Sequence, residues 1–529
     1  MMNGWIRGVR RRMARLPSLR MTRVPDAPAL PVRDPWPGDP ARGAELLKGM
    51  LSLGGAGMAL RAGSFADTGP TPVLRAAAHG FGWLRDLRAL GTDAAHMRAR
   101  ALVADWITAA ELDPIADRPD VAGARITAWL GHYDFFAASA DDGFRQKLMG
   151  RLVADARGLS ASLPTEELDE RALTALKGLI AAAVALPDHA AFLTRALRVL
   201  PQELARQVLP DGCHSERSPA QLMTALQDLT EIRALLQAAQ AAPPQALASA
   251  IERMGPALRS LRHGDGGLAL FNGSKEESSS LVELVLAQAG RSGRALSVLP
   301  EGGFQRLQAG RSVVIVDCGA PAPAKIDRFA HAGTLSFELS VGRDRMIVNC
   351  GAAPAAGGEW HDASRATAAH STLVIADTNS SELKPDGLGR RPERVEAQRQ
   401  EAAGAHWLEA SHDGYRKPFG ALHRRRLYVA ESGEDIRGED AVEAATPQPY
   451  VVRFHLHPSV DASLQQDGEA VLLRLPSGSG WRLRADGARL TLEESVYLGG
   501  VEPRRGEQVV LSGYQDGPQA VKWAITKVG

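Results

Sequence analysis

Hydrophobic residues recur at intervals of three and four positions between Gly43 and about His263. Stretches such as RARALVADWITAAEL, ALTALKGLIAAAVAL and SPAQLMTALQDLTEIRALLQAA therefore place their apolar side chains on one face of a helix. Gly, Pro and Asp separate these stretches, and the connections are short. The pattern predicts successive antiparallel helices that form a bundle, a solenoid or a toroid, and no repeat of fixed length selects among the three.

Short runs of β-branched and aromatic residues replace this pattern after the segment LRHGDGGLALFNG, residues 261–273. Runs such as SVVIVDCG, STLVIAD, YVVRFHLHP and RLTLEESVYL are separated by Gly, Asp and Ser, which is typical of antiparallel strands joined by turns. We therefore expect an antiparallel β-sandwich after the helical half. The predicted boundaries are a basic arm with a proline-rich linker over 1–42, a helical domain over 43–263 and a β-domain over 264–529.

Composition allows two large soluble domains and excludes several classes of function. The 529 residues are 44% hydrophobic and 23% charged, and the formal net charge of +1 gives no reason to expect nucleic acid as a partner. Three cysteines without a Cys-x-x-Cys pair argue against a disulfide framework and a thiolate zinc site. Because neither a phosphate-binding loop nor a Gly-x-Ser-x-Gly elbow occurs, nucleotide chemistry and hydrolase chemistry of that type are not expected.

The N-terminal residues 1–23 carry seven arginines and no acidic residue. No continuous apolar run follows, so the sequence predicts neither a secretory signal nor a transmembrane helix. Trp5, Val9, Met13 and Leu16 lie at helical spacing opposite the arginines, which suits a basic amphipathic helix on an anionic membrane face. A disordered basic arm is the alternative. We expect a location in the cytoplasm or at its membrane face, with the cell envelope as the alternative; nothing in the sequence indicates the oligomeric state.

Three longer stretches occur in the order and at the separation found in a known family. They are LPDGCHSERSPAQL in the helical half, HAGTLSFELSVGRDRMIVNCG at the start of the β-half and ATAAHSTLVI a few strands later. In these stretches the chain resembles the heparinase II/III-like family, whose members join an incomplete α/α toroid to an antiparallel β-sandwich. The resemblance implies a polysaccharide lyase that cleaves an acidic, uronate-containing glycan by β-elimination in the groove between the two domains.

The resemblance also implies a metal site at the start of the sandwich. The family has a His-x-His-x-Asp run, with a catalytic first His and a metal-binding second His; this chain has Phe329, His331 and Gly333 at those positions. His331, Asn349 and His370 align with the ligands of one zinc ion. Two imidazoles and a neutral amide are a poorer zinc set than two imidazoles and a carboxylate. The alternative is that both histidines pack at strand ends and donate to backbone carbonyls.

The DGCHSERSP stretch supplies further candidates for the chemistry of β-elimination. His214 could donate to the sugar carboxylate as a catalytic residue, Glu216 could orient it, and Arg217 could form a bidentate pair with an acidic substituent. Ser218 and Pro219 suit the start of a helix and need no function.

Other family positions differ. The catalytic tyrosine expected just after Pro219 is replaced by Ala-Gln-Leu at 220–222, and the helix starting at Arg171 carries neither Asn nor His. These changes predict altered or absent catalysis. The alternative function is therefore a catalytically degenerate protein that binds glycan or associates with a cell-envelope polymer.

A basic loop, SHDGYRKPFGALHRRR, could supply a replacement base. Its cations, among them Arg416 and Lys417, could lower the pKa of the Tyr415 phenol. The alternative is a hairpin whose tyrosine packs against the sheet.

Aromatic and imidazole side chains elsewhere have two interpretations each. Trp83 and Trp129 could line a sugar-binding groove by stacking, or could anchor helix packing. His455 and His457, two residues apart on one strand, could bind a metal, although a pair at a sheet edge is the commoner explanation.

Overall fold

Most helices precede the large antiparallel sheets along the chain, as the sequence predicts, although a short hairpin of Met50–Leu53 and Ala56–Ala59 lies within the helical half. The computed structural model describes residues 24–165, 169, 171–187, 190–290, 293–444, 446–465, 468–515 and 520–528, and the basic arm predicted for 1–23 lies outside them. The helices are α1 Pro40–Leu47, α2 Pro72–Gly80, α3 Leu84–Leu90, α4 Asp93–Thr108, α5 Pro119–Gly131, α6 Tyr133–Phe136, α7 Asp142–Ser162, α8 Arg171–Ala185, α9 Ala190–Gln207, α10 Pro219–Ala238, α11 Gln245–Ser260, α12 Ser279–Ala289, α13 Gly358–Arg365 and α14 Arg416–Phe419.

Polar caps and close contacts between backbones define the helical half. Asp141 caps α7, because its side chain accepts the Phe144 N–H at 2.9 Å. Helices α5 and α8 cross at Gly123 and Gly178, where a Cβ atom added to Gly178 would lie 2.2 Å from the Gly123 Cα. Two glycines at this crossing therefore let the helices approach more closely than any side chain would permit. Within the described residues, no helix combines the length and the apolar character needed to cross a bilayer.

Two large sheets, whose strand pairs are all antiparallel, form the sandwich. Along the chain the strands are β1 Met50–Leu53, β2 Ala56–Ala59, β3 Val298–Leu299, β4 Phe304–Ala309, β5 Ser312–Asp317, β6 Phe337–Val341, β7 Asp344–Val348, β8 Leu373–Ile375, β9 Leu383–Lys384, β10 Gly387–Leu388, β11 Val395–Ala402, β12 Ala405–His412, β13 Leu422–Val429, β14 Asp435–Glu443, β15 Gln448–Leu456, β16 Asp461–Gln465, β17 Ala470–Arg474, β18 Gly480–Asp486, β19 Arg489–Tyr497, β20 Arg504–Gln515 and β21 Ala520–Lys527. β1 and β2 form a separate two-stranded sheet, and so do β9 and β10. One sheet has the order β19-β20-β15-β7-β6-β5-β4-β3, with β8 paired to β15, and the other has the order β11-β12-β13-β14-β21-β18-β17-β16.

The hydrophobic core of the sandwich lies between these two sheets. Phe337 of the first sheet and Trp523 of the second stack with ring centroids 5.6 Å apart and an interplanar angle of 4°. Strand β13 alternates buried and solvent-facing positions, as a strand with one face in the core should. The cysteines Cys213, Cys318 and Cys350 are buried, free thiols.

The chain divides into two compact units. One comprises Met1–Gln207 with Thr224–Ile251, and the other comprises Val208–Met223 with Glu252–Gly529. The segment that contains His214, Glu216 and Arg217 therefore belongs to the same unit as the sandwich.

Candidate functional site

The DGCHSERSP stretch forms the turn before α10, and that helix begins at Pro219 as predicted. His214 and Glu216 are both buried. The Glu216 N–H donates to His214 Nδ1 at 3.3 Å, so the backbone of Glu216 contributes to the orientation of the imidazole.

Arg217 lies in the same turn with a left-handed backbone, at φ 57°. Its Nε donates to the Gly302 carbonyl at 2.7 Å, and its Nη2 forms an ion pair with Asp317. The guanidinium also lies over the Phe304 ring, 5.0 Å from the centroid. Because Arg217 and Asp317 are both buried, the arginine charge is neutralised by a carboxylate of its own chain.

Asn272 joins this turn to the start of the sandwich, and the sequence analysis did not single it out. Its Nδ2 donates to the Arg217 carbonyl at 2.9 Å, while its Oδ1 accepts the His331 N–H at 3.1 Å. Asn272 has φ 46° and Gly273 has φ 79°, and both values are in the left-handed region that Asn and Gly tolerate best. The Asn-Gly pair was the available signal, since it marks a tight turn.

His331 and His370 form a continuous hydrogen-bond chain. The Gly273 N–H donates to His331 Nε2 at 3.1 Å, which leaves the His331 proton on Nδ1. His331 Nδ1 donates to His370 Nε2 at 3.0 Å, and His370 Nδ1 donates to the Ala366 carbonyl at 2.7 Å. Each imidazole therefore uses one nitrogen as a donor and the other as an acceptor, and both rings are neutral.

Burial reinforces the neutral state of this pair. It lowers the pKa of His370 from 6.5 to about 4, although the hydrogen bond to the Ala366 carbonyl acts in the opposite direction. Burial, followed by the nearby His370, lowers the pKa of His331 well below its ordinary value. At neutral pH neither ring can donate a proton as an imidazolium.

Asn349 and Glu338 complete the polar interior beside the pair. Asn349 Oδ1 accepts the Ser371 N–H at 3.0 Å. Glu338, which sequence reasoning missed as a site residue, is fully buried and accepts from His263 Nε2 at 2.9 Å, from the Leu270 N–H at 3.0 Å and from the Asn349 N–H at 2.8 Å. A carboxylate within a buried, mostly apolar strand was the signal for it.

Comparison with known proteins identifies the family. Residues 291–524 match the family described as heparinase II/III-like, C-terminal. Over 522 residues the chain is 33% identical to FtsZ-localized protein C of Caulobacter vibrioides (strain NA1000 / CB15N), an alignment that covers 93% of this chain and 89% of that protein. The chain belongs to the heparinase II/III-like family.

Solved structures confirm the fold expected for a heparinase II/III-like chain. The crystal structure of heparinase III aligns with a TM-score of 0.74 and 13% identity, over 99% of this chain and 89% of that one. Heparan sulfate lyase HepC from Pedobacter heparinus aligns with a TM-score of 0.59 and 15% identity, over 99% of this chain and 87% of that one. A chondroitinase AC lyase aligns with a TM-score of 0.52 and 10% identity, over 98% of this chain and 82% of that one. The predicted architecture, an α/α toroid followed by an antiparallel β-sandwich, is therefore confirmed, and the fold is that of polysaccharide lyases.

Two positions that differ from the heparinase II/III-like pattern have a structural reason. A Cβ atom at Gly333 would lie 2.6 Å from the His370 ring, so the aspartate of the family pattern cannot stand beside His370 in its present position. Phe329 packs over Gly273, since a Cβ added to that glycine would lie 3.1 Å from the phenyl ring. Both substitutions fit the hydrogen-bonded histidine pair.

The residues that the resemblance aligns with zinc do not fit a zinc ion in this arrangement. His331 Nδ1 and His370 Nε2 hydrogen-bond to each other, and Asn349 Oδ1 accepts a backbone N–H. Zinc requires lone pairs that converge on one point. Across the described part of the chain there is also no group of three or more His, Cys, Asp or Glu side chains placed to hold a metal.

Tyr415 is fully buried beneath its basic loop, and its hydroxyl donates to the Leu373 carbonyl at 3.1 Å. Burial raises the pKa of the phenol well above its ordinary value, so the expected lowering by neighbouring cations is wrong. Arg416 and Lys417 lie on the exposed α14, whereas the tyrosine ring packs into the core.

The basic loop and hairpin contain a second imidazole pair, His412 and His423. The Gly414 N–H donates to His412 Nδ1 at 3.1 Å, and the opposite ring nitrogen lies 3.2 Å from His423 Nδ1. His423 Nε2 then donates to Asp440 at 2.8 Å, and Arg425 donates to the same carboxylate. All of these side chains are buried, so the network stabilises the sandwich interior.

The predicted sugar-stacking residues lie in the helical core. Trp129 has no exposed surface and Trp83 has 4%. Phe81 contacts both rings, with centroids 5.2 Å and 5.0 Å away, and Trp83 Nε1 donates to the Ala78 carbonyl at 3.0 Å. Neither indole presents a face on which a sugar could stack.

The helix in which the family pattern has an asparagine, α8, carries a buried lysine instead. Lys177 Nζ lies 2.7 Å from Asp228 and 3.0 Å from Glu231. Although burial alone would lower it, the two carboxylates raise the pKa of Lys177 above its ordinary value. The lysine is therefore a fixed cation of the helical core.

His455 on β15 and His457, just after the end of that strand, have separate partners. His455 Nε2 donates to the Ala368 carbonyl at 2.9 Å, whereas His457 Nε2 contacts Glu276 at 3.0 Å. The two rings thus form no common site.

Proposed function

We propose that this chain is a heparinase II/III-like protein that has lost lyase catalysis and that localises to FtsZ in the cell. β-Elimination needs a donor that neutralises the uronate carboxylate, a base for the C5 proton and an acid for the leaving oxygen. The observation that carries the loss of catalysis is the chain from Gly273 through His331 and His370 to Ala366. Both imidazoles are neutral and have no nitrogen left for a substrate.

Two of the other predicted reagents, Arg217 and Tyr415, support the same conclusion. Arg217 is neutralised by Asp317 within the protein interior. Tyr415 is bonded to a backbone carbonyl, and its raised pKa opposes the loss of the phenolic proton that a base needs.

The localisation rests on the Caulobacter relative, whose name is FtsZ-localized protein C. The similarity extends over 93% of this chain and 89% of the relative, so it includes the helical half as well as the sandwich. We extend the localisation to this chain on that basis.

Fluorescence microscopy of the full chain fused to a fluorescent protein, in cells with labelled FtsZ, tests this localisation. The fusion should coincide with FtsZ and disperse when FtsZ is depleted, while the free fluorescent protein stays uniform throughout. A fusion whose distribution ignores FtsZ depletion would contradict the proposal.

Cleavage of an acidic glycan stays a prediction from the sequence, as do cytoplasmic placement and membrane contact through residues 1–23. Fold alone does not decide between a lyase and a non-catalytic protein, because function resides in the site. The buried histidine pair favours the second of these.

A further inference from the structure

A serine, a histidine and a glutamate form a hydrogen-bonded series just beyond the end of β15. Ser459 Oγ lies 2.6 Å from His457 Nδ1, and His457 Nε2 lies 3.0 Å from Glu276 Oε1. We call these three residues the Ser459 triad. All of them belong to the unit that contains the sandwich, and neither the serine nor the glutamate was singled out from the sequence.

The hydrogen bonds of the Ser459 triad fix the direction in which each proton is donated. The Ser459 N–H also points at His457 Nδ1, at 3.3 Å. Because a backbone N–H can only donate, Nδ1 is the unprotonated nitrogen, and the proton of the neutral ring is on Nε2. The Ser459 hydroxyl therefore donates to Nδ1, and Nε2 donates to the Glu276 carboxylate. A hydroxyl that donates to an imidazole, which is itself oriented by a carboxylate, is the arrangement that activates a serine nucleophile.

Two donors keep the Glu276 carboxyl in its ionised form. The Tyr497 hydroxyl donates to the same oxygen as His457. Although burial raises it, the hydrogen bonds from His457 and Tyr497 lower the pKa of Glu276 to about 2. Glu276 is thus a carboxylate at neutral pH, and it would stabilise the positive charge that His457 acquires on taking a proton from the serine.

The backbone around the Ser459 triad is anchored in the sandwich. The His457 N–H donates to the Met346 carbonyl of β7 at 3.1 Å, and the Glu276 N–H donates to the Gly499 carbonyl at 3.0 Å. Tyr497 ends β19, and its ring stands edge-on to the His457 ring with centroids 5.0 Å apart. Because His457 and Glu276 are 181 residues apart, the short spacing of the histidine and the serine does not by itself produce the triad.

Exposure decreases from the nucleophile to the base. Ser459 is exposed, whereas the His457 side chain is 13% exposed and that of Glu276 is 30% exposed. The hydroxyl can therefore reach a group carried on another molecule, while the imidazole behind it is partly shielded from water. An exposed serine suits a short acyl group, because a long acyl chain needs an apolar cavity to cover it.

We propose that Ser459 is the nucleophile of a site that hydrolyses short-chain acyl esters. Ser459 Oγ attacks the ester carbonyl, and its proton passes to His457 Nδ1. The bond between the carbonyl carbon and the alcohol oxygen then breaks, and His457 returns the proton to the departing alcohol. A water molecule, deprotonated by His457, releases the acid and regenerates the serine. Glu276 and Tyr497 are positioning residues. The activity depends neither on the His331–His370 pair nor on localisation to FtsZ.

Labelling of the full chain with a fluorophosphonate probe, followed by mass spectrometry of its peptides, tests for the nucleophile. The probe forms an Oγ–P bond with an activated serine and releases fluoride, so Ser459 should carry the adduct. His457→Gln should reduce labelling at least about tenfold, because it removes the base. Ser477→Ala is the matched control, since it removes an exposed serine whose hydroxyl faces Ser479 and no imidazole, and it should leave labelling unchanged.

Hydrolysis of p-nitrophenyl acetate measures turnover at the same site. Ser459→Ala should lower the rate to that of buffer, with thermal unfolding unchanged because the serine is exposed. Glu276→Gln keeps a hydrogen-bond acceptor for His457 but removes the charge. It should therefore lower kcat by about tenfold or more and leave KM unchanged, a split that loss of stability alone would not produce.

Three results would overturn the assignment. Absence of an adduct at Ser459, or equal labelling in His457→Gln, would show that the serine is not activated. Ester hydrolysis that persists in Ser459→Ala would come from other residues. A lower unfolding temperature in Glu276→Gln with unaltered kcat would leave the Ser459 triad a purely structural contact. None of these results bears on FtsZ localisation or on the loss of lyase catalysis, so the proposals fail separately.

Discussion

His331 shows how neighbouring residues decide the role of a side chain. Its position in the sequence aligns it with a metal ligand, but the Gly273 N–H and the His370 ring occupy its two nitrogens. Gly333 makes the arrangement possible, because any Cβ there would clash with the His370 ring. His331 and His370, which align in sequence with metal ligands of the family, thus form a hydrogen-bonded pair in the structure.

Removal of one member of the histidine pair should destabilise the protein. His370→Ala leaves the His331 Nδ1–H without its acceptor in a buried site, which should cost about 1–3 kcal/mol. His331→Ala should cost a similar amount. Thermal unfolding of the two single variants and the double variant measures the coupling, and the double loss should be smaller than the sum. Strict additivity would contradict the hydrogen bond between the rings.

The same pair should make stability depend on pH. The folded-state pKa of His370, about 4, lies below the ordinary value of 6.5, so the unfolded state takes up the proton more readily. The stability from this group is present above pH 6.5 and is lost as pH falls toward 4. In His370→Ala the decline of the unfolding midpoint over this window should be shallower than in the wild type. If the unfolding midpoint of His370→Ala fell as steeply with decreasing pH as that of the wild type, His370 would not be a titrating group in this range.

Metal analysis addresses the zinc prediction. Since the donor atoms of His331, His370 and Asn349 hydrogen-bond within the protein, purified protein should contain far less than one zinc ion per chain. Mass spectrometry of the metal content measures this directly. If the wild-type protein contained one zinc ion per chain and His331→Ala contained none, the metal-site interpretation would be correct instead.

Segments that the structure brings together here could be singled out from the sequence, but their contacts could not be identified. His331 and His370 were both singled out, and the structure brings them together. Asn272 and Glu338 were not, because each bonds to a residue about sixty or more positions away, His331 for Asn272 and Leu270 for Glu338. For Tyr415 the sequence indicated nearby cations but gave no information on burial, which is what sets its pKa.

At the scale of elements, the crossing of α5 and α8 depends on two glycines. Gly178→Ala would place a Cβ atom 2.2 Å from the Gly123 backbone, which cannot rotate away. The helices must then separate, and we expect a loss of about 1–3 kcal/mol in the free energy of unfolding.

Gly150→Ala is the matched control, since a Cβ atom there meets nothing within 4 Å. Alanine favours a helix over glycine by about 0.5–1 kcal/mol, so this variant should be slightly more stable than the wild type. Thermal unfolding of the two variants compares them. Equal effects would show that the close approach of α5 and α8 does not matter.

Elements were predictable where the pattern is local, and less so where register matters. Spacing of three and four predicted helices such as α8 and α10, and short runs of β-branched residues predicted strands such as β5. Contacts set by strand register were not visible in the sequence, since Trp407 of β12 and Tyr428 of β13 meet only through the pairing of their strands.

For the whole molecule, family membership and catalytic competence are separate properties. The chain shares its fold with heparinase III at 13% identity, and it shares 33% identity with FtsZ-localized protein C. Fold similarity at the lower level carries no catalytic residues with it. Apolar patterning predicted helices followed by strands, and the family resemblance selected the toroid from the helical arrangements left open, whereas catalysis depends on a few individual side chains.

Absorbance of the unsaturated uronate product, after the full chain is incubated with a panel of uronate polysaccharides, tests the loss of catalysis most directly. Heparinase III serves as the active control. The absorbance should rise no faster with this chain than with buffer alone, across the whole panel. Sustained product formation that His214→Ala and His331→Ala abolish, with thermal unfolding little changed, would contradict it and establish the chain as a lyase.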